Sequence, residues 1–257
     1  MVPHMPDFTM SKYQTLCQIL KEEKYIFLTI KKYIELKEAE RIPEKFAIIR
    51  HDVDRWLYNA IRMAEEEQRI GIRSTFYIRY PGTFNPDSMQ YISRLGHEIG
   101  YHYEVVSKNN GDMKKAFEQF IKELSQFRSF IPVYTICMHG NPLSPYDNRT
   151  LWNTYHFEDL GIIAEAYLSL SDLRYFTDTG RTWAGNRAIY DTLSEWVPKP
   201  KLRSTQDLIS WIENASPSYL YLTVHPERWA PDPLRYLASW GMDFVVNIGK
   251  IVIKVVQ

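Results

Sequence analysis

The stretch Phe46-Ala47-Ile48-Ile49-Arg50-His51-Asp52-Val53-Asp54 decides how this chain reads. An apolar run that stops abruptly at two carboxylates and an imidazole is the pattern of a buried strand delivering polar side chains to its C-terminal end. Parallel α/β sheets and barrels place their active sites at that end. Side chains alternate along a strand, so Asp52 and Asp54 share a face while Val53 points into the packing. Two neighbouring carboxylates repel, and a shared proton or a cation relieves them. The structural alternative is helix capping, because Asp54 precedes the helical stretch 57–69. Capping accounts for one Asp and leaves the other, and His51, unexplained.

Working outward, helices are expected over 11–22 and 30–39, with a short strand over 25–29 between them. After the pivotal strand, Leu57, Ala60, Ile61 and Ala64 form the inner face of a helix. Its Glu65-Glu66-Glu67 run reads as a solvated face, and Gly71 as its stop. Strands over 72–79, 98–104 and 133–138 alternate with helices over 87–95 and 112–130. Further on, strands are expected over 162–170, 174–177 and 219–224, helices over 207–214 and 233–240, and closing strands over 243–248 and 251–256. Strands alternating with helices, with no repeat or linker, predict one α/β domain over 1–257 with a largely parallel sheet. Residues 1–45 are expected to form a helical extension packed on it.

The 257 residues suffice for a core of barrel size. Lys and Arg total 31 and so do Asp and Glu, so no charge excess calls for nucleic acid or an anionic membrane. Eighteen tyrosines supply either sugar-stacking surface or ordinary packing. Cys17 and Cys137 are far apart, which excludes a dense disulfide framework and suits a reducing compartment. No run is long enough to span a bilayer, and the start has no signal-peptide pattern, so a cytoplasmic protein is expected.

Four predicted strands end in groups able to do chemistry: His51, Asp52 and Asp54; His102 and Glu104; His139; and His225. Strand ends converging in this way are the signature of a site at the C-terminal face of a barrel, here with a metal. The strand ending in Asp52-Val53-Asp54, then Gly71 to Tyr77, then Gly96-His97-Glu98-Ile99-Gly100-Tyr101-His102, and last Leu222-Thr223-Val224-His225, resemble the polysaccharide deacetylase (NodB-like, carbohydrate esterase 4) family. The resemblance spans about residues 46–225. It implies a distorted (β/α) barrel with about seven strands and removal of N-acetyl groups from amino sugars with a divalent cation. Zinc is the expected ion, with Mn, Mg, Co or Ni as alternatives. The His51-Asp52-Val53-Asp54 and Gly100-to-Glu104 variant is similar to members acting in O-antigen, lipopolysaccharide and other surface-polysaccharide biosynthesis.

Carried over by position, Asp52 matches the family's general base, Asp54 and His102 its metal ligands, and His225 its general acid. His97 matches a position that supports the strand. The family's second metal His, four residues after the first, is Val106 here, the Ser/Thr after the first His is Tyr103, and no Arg-x-Pro-Tyr motif follows the fourth strand. The third ligand is therefore open between Glu104, two residues from His102 on the same strand face, and His139. Substrate contacts are expected from His51, Asn141 and the loop residues Asp178, Arg181 and Trp183, although an Asp–Arg pair beside a packed Trp is equally an ordinary structural unit. The expected partner is an N-acetylated sugar, free or on a nucleotide or lipid carrier. The rivals are a metal-independent, allantoinase-like amidase of the same fold and a non-catalytic sugar-binding relative.

Overall fold

The computed structural model describes residues 6–141, 144–185, 200–232 and 234–243. Its sheet is built from β1 (Ile26–Phe27), β2 (Phe46–Val53), β3 (Thr75–Arg79), β4 (Glu98–Tyr103), β5 (Thr135–Met138), β6 (Ala164–Glu165), β7 (Tyr175–Thr177) and β8 (Tyr219–Val224). Seven strands run in the order β6-β5-β4-β3-β2-β8-β7, every pair parallel, and β1 joins the start of β2. This is a curled, barrel-like α/β sheet with helices around it. The helices are α1 (Met10–Glu22), α2 (Ile30–Glu38), α3 (Leu57–Ile70), α4 (Pro86–Arg94), α5 (Val105–Lys108), α6 (Met113–Arg128) and α7 (Thr205–Ala215). Residues 234–243 are also helical.

All eight residues of β2 are buried, because both faces of this central strand are covered. Phe46 and Ile48 belong to the cluster that fills the curl, whereas Ala47 and Ile49 pack with α1 and α7. Tyr77, Tyr167, Tyr175 and Tyr221 fill the curl, Tyr101 and Tyr103 pack on the other face against Phe120 of α6, and all six are buried, so these tyrosines pack the core rather than present a stacking surface. Gly100 makes room for one of them, since a Cβ there would lie 2.3 Å from the Tyr77 ring and 2.9 Å from the Thr135 carbonyl.

Local signals explain most boundaries. Thr9 and Asp112 cap α1 and α6 through side-chain bonds to the Lys12 and Lys115 amides, and Gly71 closes α3 at φ +93°. Trp56, not Asp54, precedes α3 and gives no side-chain cap, so the capping explanation of Asp54 fails. The expected strand over 162–170 shrinks to two residues. Its Glu165 carboxylate accepts bonds from the Tyr167 and Leu168 amides and folds the chain into a turn. The 3-10 turns Asn148–Asn153 and Phe157–Leu160 were not anticipated by periodicity. Of the expected closing strands, Asp243 is helical and residues 244–256 lie outside the described residues.

Candidate active site

Register puts the polar strand ends side by side. Val53 pairs with Ile78, and Arg79 with His102, so Asp54 comes level with Arg79 and His102. His139 leaves the end of β5, where its amide donates to the Tyr103 carbonyl at 2.7 Å and its own carbonyl accepts from Asn148 Nδ2 at 2.9 Å. His225 follows β8 directly beside β2.

Three of these side chains meet. Asp54 Oδ1 lies 3.0 Å from His139 Nδ1 and 3.3 Å from His102 Nε2, and those two nitrogens are 3.3 Å apart. Ligands about 2.1 Å from a tetrahedral ion stand about 3.4 Å from one another, which is the size of this triangle. His102 Nδ1 donates to the Cys137 carbonyl at 3.0 Å, so in the neutral ring Nε2 turns its lone pair toward Asp54. Asp54 Oδ1 itself makes no hydrogen bond among the described residues. An unbonded carboxylate oxygen facing an imidazole lone pair is a donor set that a divalent cation fits. Burial alone would raise the Asp54 carboxyl, but His139 and then His102 hold it well below the usual range. Burial lowers His102, and the Asp52 and Asp54 carboxylates more than offset this, so its net shift is upward.

Asp52 sits beside this triangle, in a second and looser group with His102 and Cys137. Cys137 Sγ is 3.9 Å from its Oδ1. Arg50, two residues earlier on the same strand face, donates from Nη2 to Asp52 Oδ2 at 2.9 Å and to the Tyr167 hydroxyl at 2.7 Å. Its Nη1 donates to the Tyr221 hydroxyl at 2.8 Å. Arginine's planar fork serves these three partners from two nitrogens held at a fixed spacing.

His225 is held by Asp178. The ring Nδ1 donates to Asp178 Oδ1 at 2.6 Å and the backbone amide to Oδ2 at 2.9 Å. Arg228 and the Trp229 indole donate to the same carboxylate at 2.7 and 2.8 Å. Burial pushes the Asp178 carboxyl up, yet His225 and Arg228 leave it well below the usual range. Burial and Arg228 lower His225, and Asp178 overrides them to push it up to about 9.

The remaining expected residues are placed as follows. Glu104 does not join Asp54 and His102: β4 ends at Tyr103, and at Glu104 the backbone turns to ψ 28°, so strand alternation no longer applies. Its carboxylate binds Arg79 and accepts from Asn141 Nδ2 at 2.9 Å, leaving Asn141 on the rim. Val106 is buried in α5. His51 points away from the site, because it alternates with Asp52; its Nε2 donates to Glu67 at 2.7 Å. Glu67 also accepts from Tyr13 and Ser74, so one member of the supposedly solvated glutamate run is a buried hub. His97 bonds the Ala64 carbonyl and Ser74, a structural role. Trp183 is buried against Phe8 and Trp229, with its indole donating to Thr205. Arg181 donates to Asp243 at 2.8 Å and to the Arg228 carbonyl at 3.1 Å. Asp178 is thus an orienting group for His225, and Arg181 and Trp183 are parts of the wall behind it. Arg50, Asn148, Glu227 and Arg228 were not singled out by the sequence reading. The only signal for Arg50 was its place two residues before Asp52.

No protein-family model matches the chain, and no curated protein matches it. Among solved structures, a family 4 carbohydrate esterase from Bacillus anthracis is similar, with TM-score 0.40 and 12% identity over 90% of this chain and 84% of that one. No described helix is long and apolar enough to cross a membrane.

Proposed function

We propose that the chain is a hydrolase that removes N-acetyl groups from an amino sugar, with a divalent cation held by Asp54, His102 and His139. The observation that carries this reading is the triangle of one carboxylate oxygen and two imidazole nitrogens 3.0 to 3.3 Å apart, set beside one oriented carboxylate and one oriented imidazole. Two imidazoles and a carboxylate suit zinc and leave coordination positions open, and Mn, Co or Ni accept the same set. Such an ion, when bound, acidifies a water and polarises a carbonyl.

The chain's own groups supply the proton transfers. Asp52, turned by Arg50, takes the proton of the attacking water. His225, kept protonated at neutral pH by Asp178, gives its Nε2 proton to the departing amine. The Asp178 carboxylate fixes the tautomer, because it accepts from Nδ1. A saccharide on a nucleotide or lipid carrier, met in the cytoplasm during O-antigen-like surface-polysaccharide biosynthesis, is the substrate class we favour. Support for that setting is the resemblance of the Asp52 and His102 segments.

The test is acetate release from free, nucleotide-linked and lipid-linked N-acetylhexosamines by metal-loaded protein. Asp52→Asn is expected to keep its metal and to lose on the order of 10²–10⁴ in turnover. Metal-loaded protein that releases acetate from none of them rejects the reading.

A further inference from the structure

Two buried carboxylate oxygens at this end of the sheet make no hydrogen bond among the described residues, Asp54 Oδ1 and Glu227 Oε2. The ring nitrogens of His102 and His139, and a cation among them, account for the first. Nothing yet accounts for the second. Folded chains leave few buried acceptors without a donor, because desolvation of the group is then uncompensated.

Glu227 is 1% exposed and rigidly framed. It follows His225 through Pro226 in a 3-10 turn, and its carbonyl accepts from Ser239 Oγ at 2.6 Å. Arg55 Nε stands 3.7 Å from its Oε1, and Arg55 is anchored to Asp243 at 2.9 Å. Arg181 holds Asp243 and Ser239 in turn. Arg228, the next residue, is committed to Asp178. Arg55 and Arg228 therefore stand beside Glu227, and neither donates to Oε2. Glu227 lies two residues after His225, and Arg55, the residue after Asp54, reaches toward its Oε1, so it stands at the reacting end of the site. Burial, and then Asp54, push the carboxyl up to about 7. Glu227 is not in the ligand group of Asp54, so an ion held there does not cover it.

We propose that Glu227 is a substrate-binding residue whose Oε2 accepts a hydrogen bond from the saccharide hydroxyl or amine beside the reacting group. This rests on the hydrolase reading above, and it adds a specificity contact that the proton transfers do not use. A hydrogen-bonding site rejects an analogue that lacks the donor far more strongly than an apolar pocket does, because its own buried acceptor is then left unpaired.

The test uses full-length, metal-loaded protein with Glu227→Gln and Glu227→Met. Metal content, kcat and KM on an N-acetylhexosamine, and calorimetric binding of the corresponding free amino sugar are measured. In both variants metal content is expected to stay at the wild-type ratio while KM rises about tenfold and kcat changes less. A substrate lacking the hydroxyl next to the acetamido carbon is expected to cost wild type about tenfold in kcat/KM and the Met variant little more. Equal KM and an equal deoxy penalty in all three proteins would overturn the proposal, as would loss of metal with KM unchanged. If wild type releases no acetate yet binds the amino sugar, and both variants bind it more weakly, the hydrolase reading falls and the Glu227 contact stands. No binding and no turnover overturns both.

Discussion

Arg50 Nη2 and Asp52 Oδ2 stand 2.9 Å apart on one face of β2, and both side chains are buried. The guanidinium lies over the Tyr167 ring, 4.3 Å from its centroid, and bonds two tyrosine hydroxyls. A buried charge is tolerated only with its partner and its hydrogen bonds in place.

Arg50→Met therefore leaves the buried Asp52 charge without its guanidinium. We expect a loss of about 3–5 kcal/mol in urea unfolding, the range for breaking one side of a buried pair. A loss below about 1 kcal/mol would show that Asp52 finds its compensation elsewhere.

His139 and Glu104 end neighbouring strands, yet only His139 touches Asp54. His139→Ala is expected to lose a bound divalent ion after dialysis and Glu104→Gln to retain it, both read by elemental analysis. Retention in His139→Ala together with loss in Glu104→Gln would reverse the ligand assignment.

The Asp178–His225 pair gives stability a slope at alkaline pH. The folded imidazole titrates near 9 rather than at its ordinary 6.5. The folded state thus binds the proton more tightly than the unfolded chain, and this stabilisation is complete below 6.5 and lost as pH rises through 9. Denaturant midpoints of metal-free protein should fall across that window, and Asp178→Asn should flatten the fall whatever it does to overall stability. An unchanged slope in Asp178→Asn would place the effect on another group.

Glu67 gives the opposite slope at acid pH. Burial pushes its carboxyl up, but His51, with its charge and hydrogen bond, and His97 bring it down to about 2 from 4.5. A depressed carboxylate stabilises the fold fully above 4.5, and this contribution is lost as pH falls toward 2. Glu67→Gln should weaken the acid dependence in that interval. The same midpoint shift in wild type and variant between pH 4.5 and 2.5 would remove Glu67 as its source.

Gly100→Ala pushes a methyl group into the Tyr77 ring and the Thr135 carbonyl. Overpacking of this kind costs about 1–3 kcal/mol, and contact with backbone on one side favours the upper end. Thermal unfolding would report it, and an unchanged midpoint would mean that Tyr77 moves aside freely.

Most of the sheet is legible in the sequence because each buried strand is an apolar run that stops at a polar group. β2, β4, β5 and β8 read directly from Phe46–Val53, Glu98–Tyr103, Thr135–Met138 and Tyr219–Val224. The 162–170 segment misled, since an apolar run says nothing of a carboxylate such as Glu165 that bends the backbone around itself. The approach of Asp54, His102 and His139 follows from strand ends, yet the choice between Glu104 and His139 turns on where β4 stops. Two-residue alternation cannot reveal that point. His51 and Asp178 show a related limit: composition and spacing mark a polar residue as interesting, and only its partners, Glu67 and His225, show which way it faces.

Among the described residues the curl of the sheet ends at β6 and β7, which are two and three residues long. Extended, unpaired backbone is what lets one chain add a strand to another, and short edge strands deny it a template. Such brief margins offer another chain little backbone to pair with edge to edge. With β-structure this deeply buried, short edges at β6 and β7 act against fibrous aggregation.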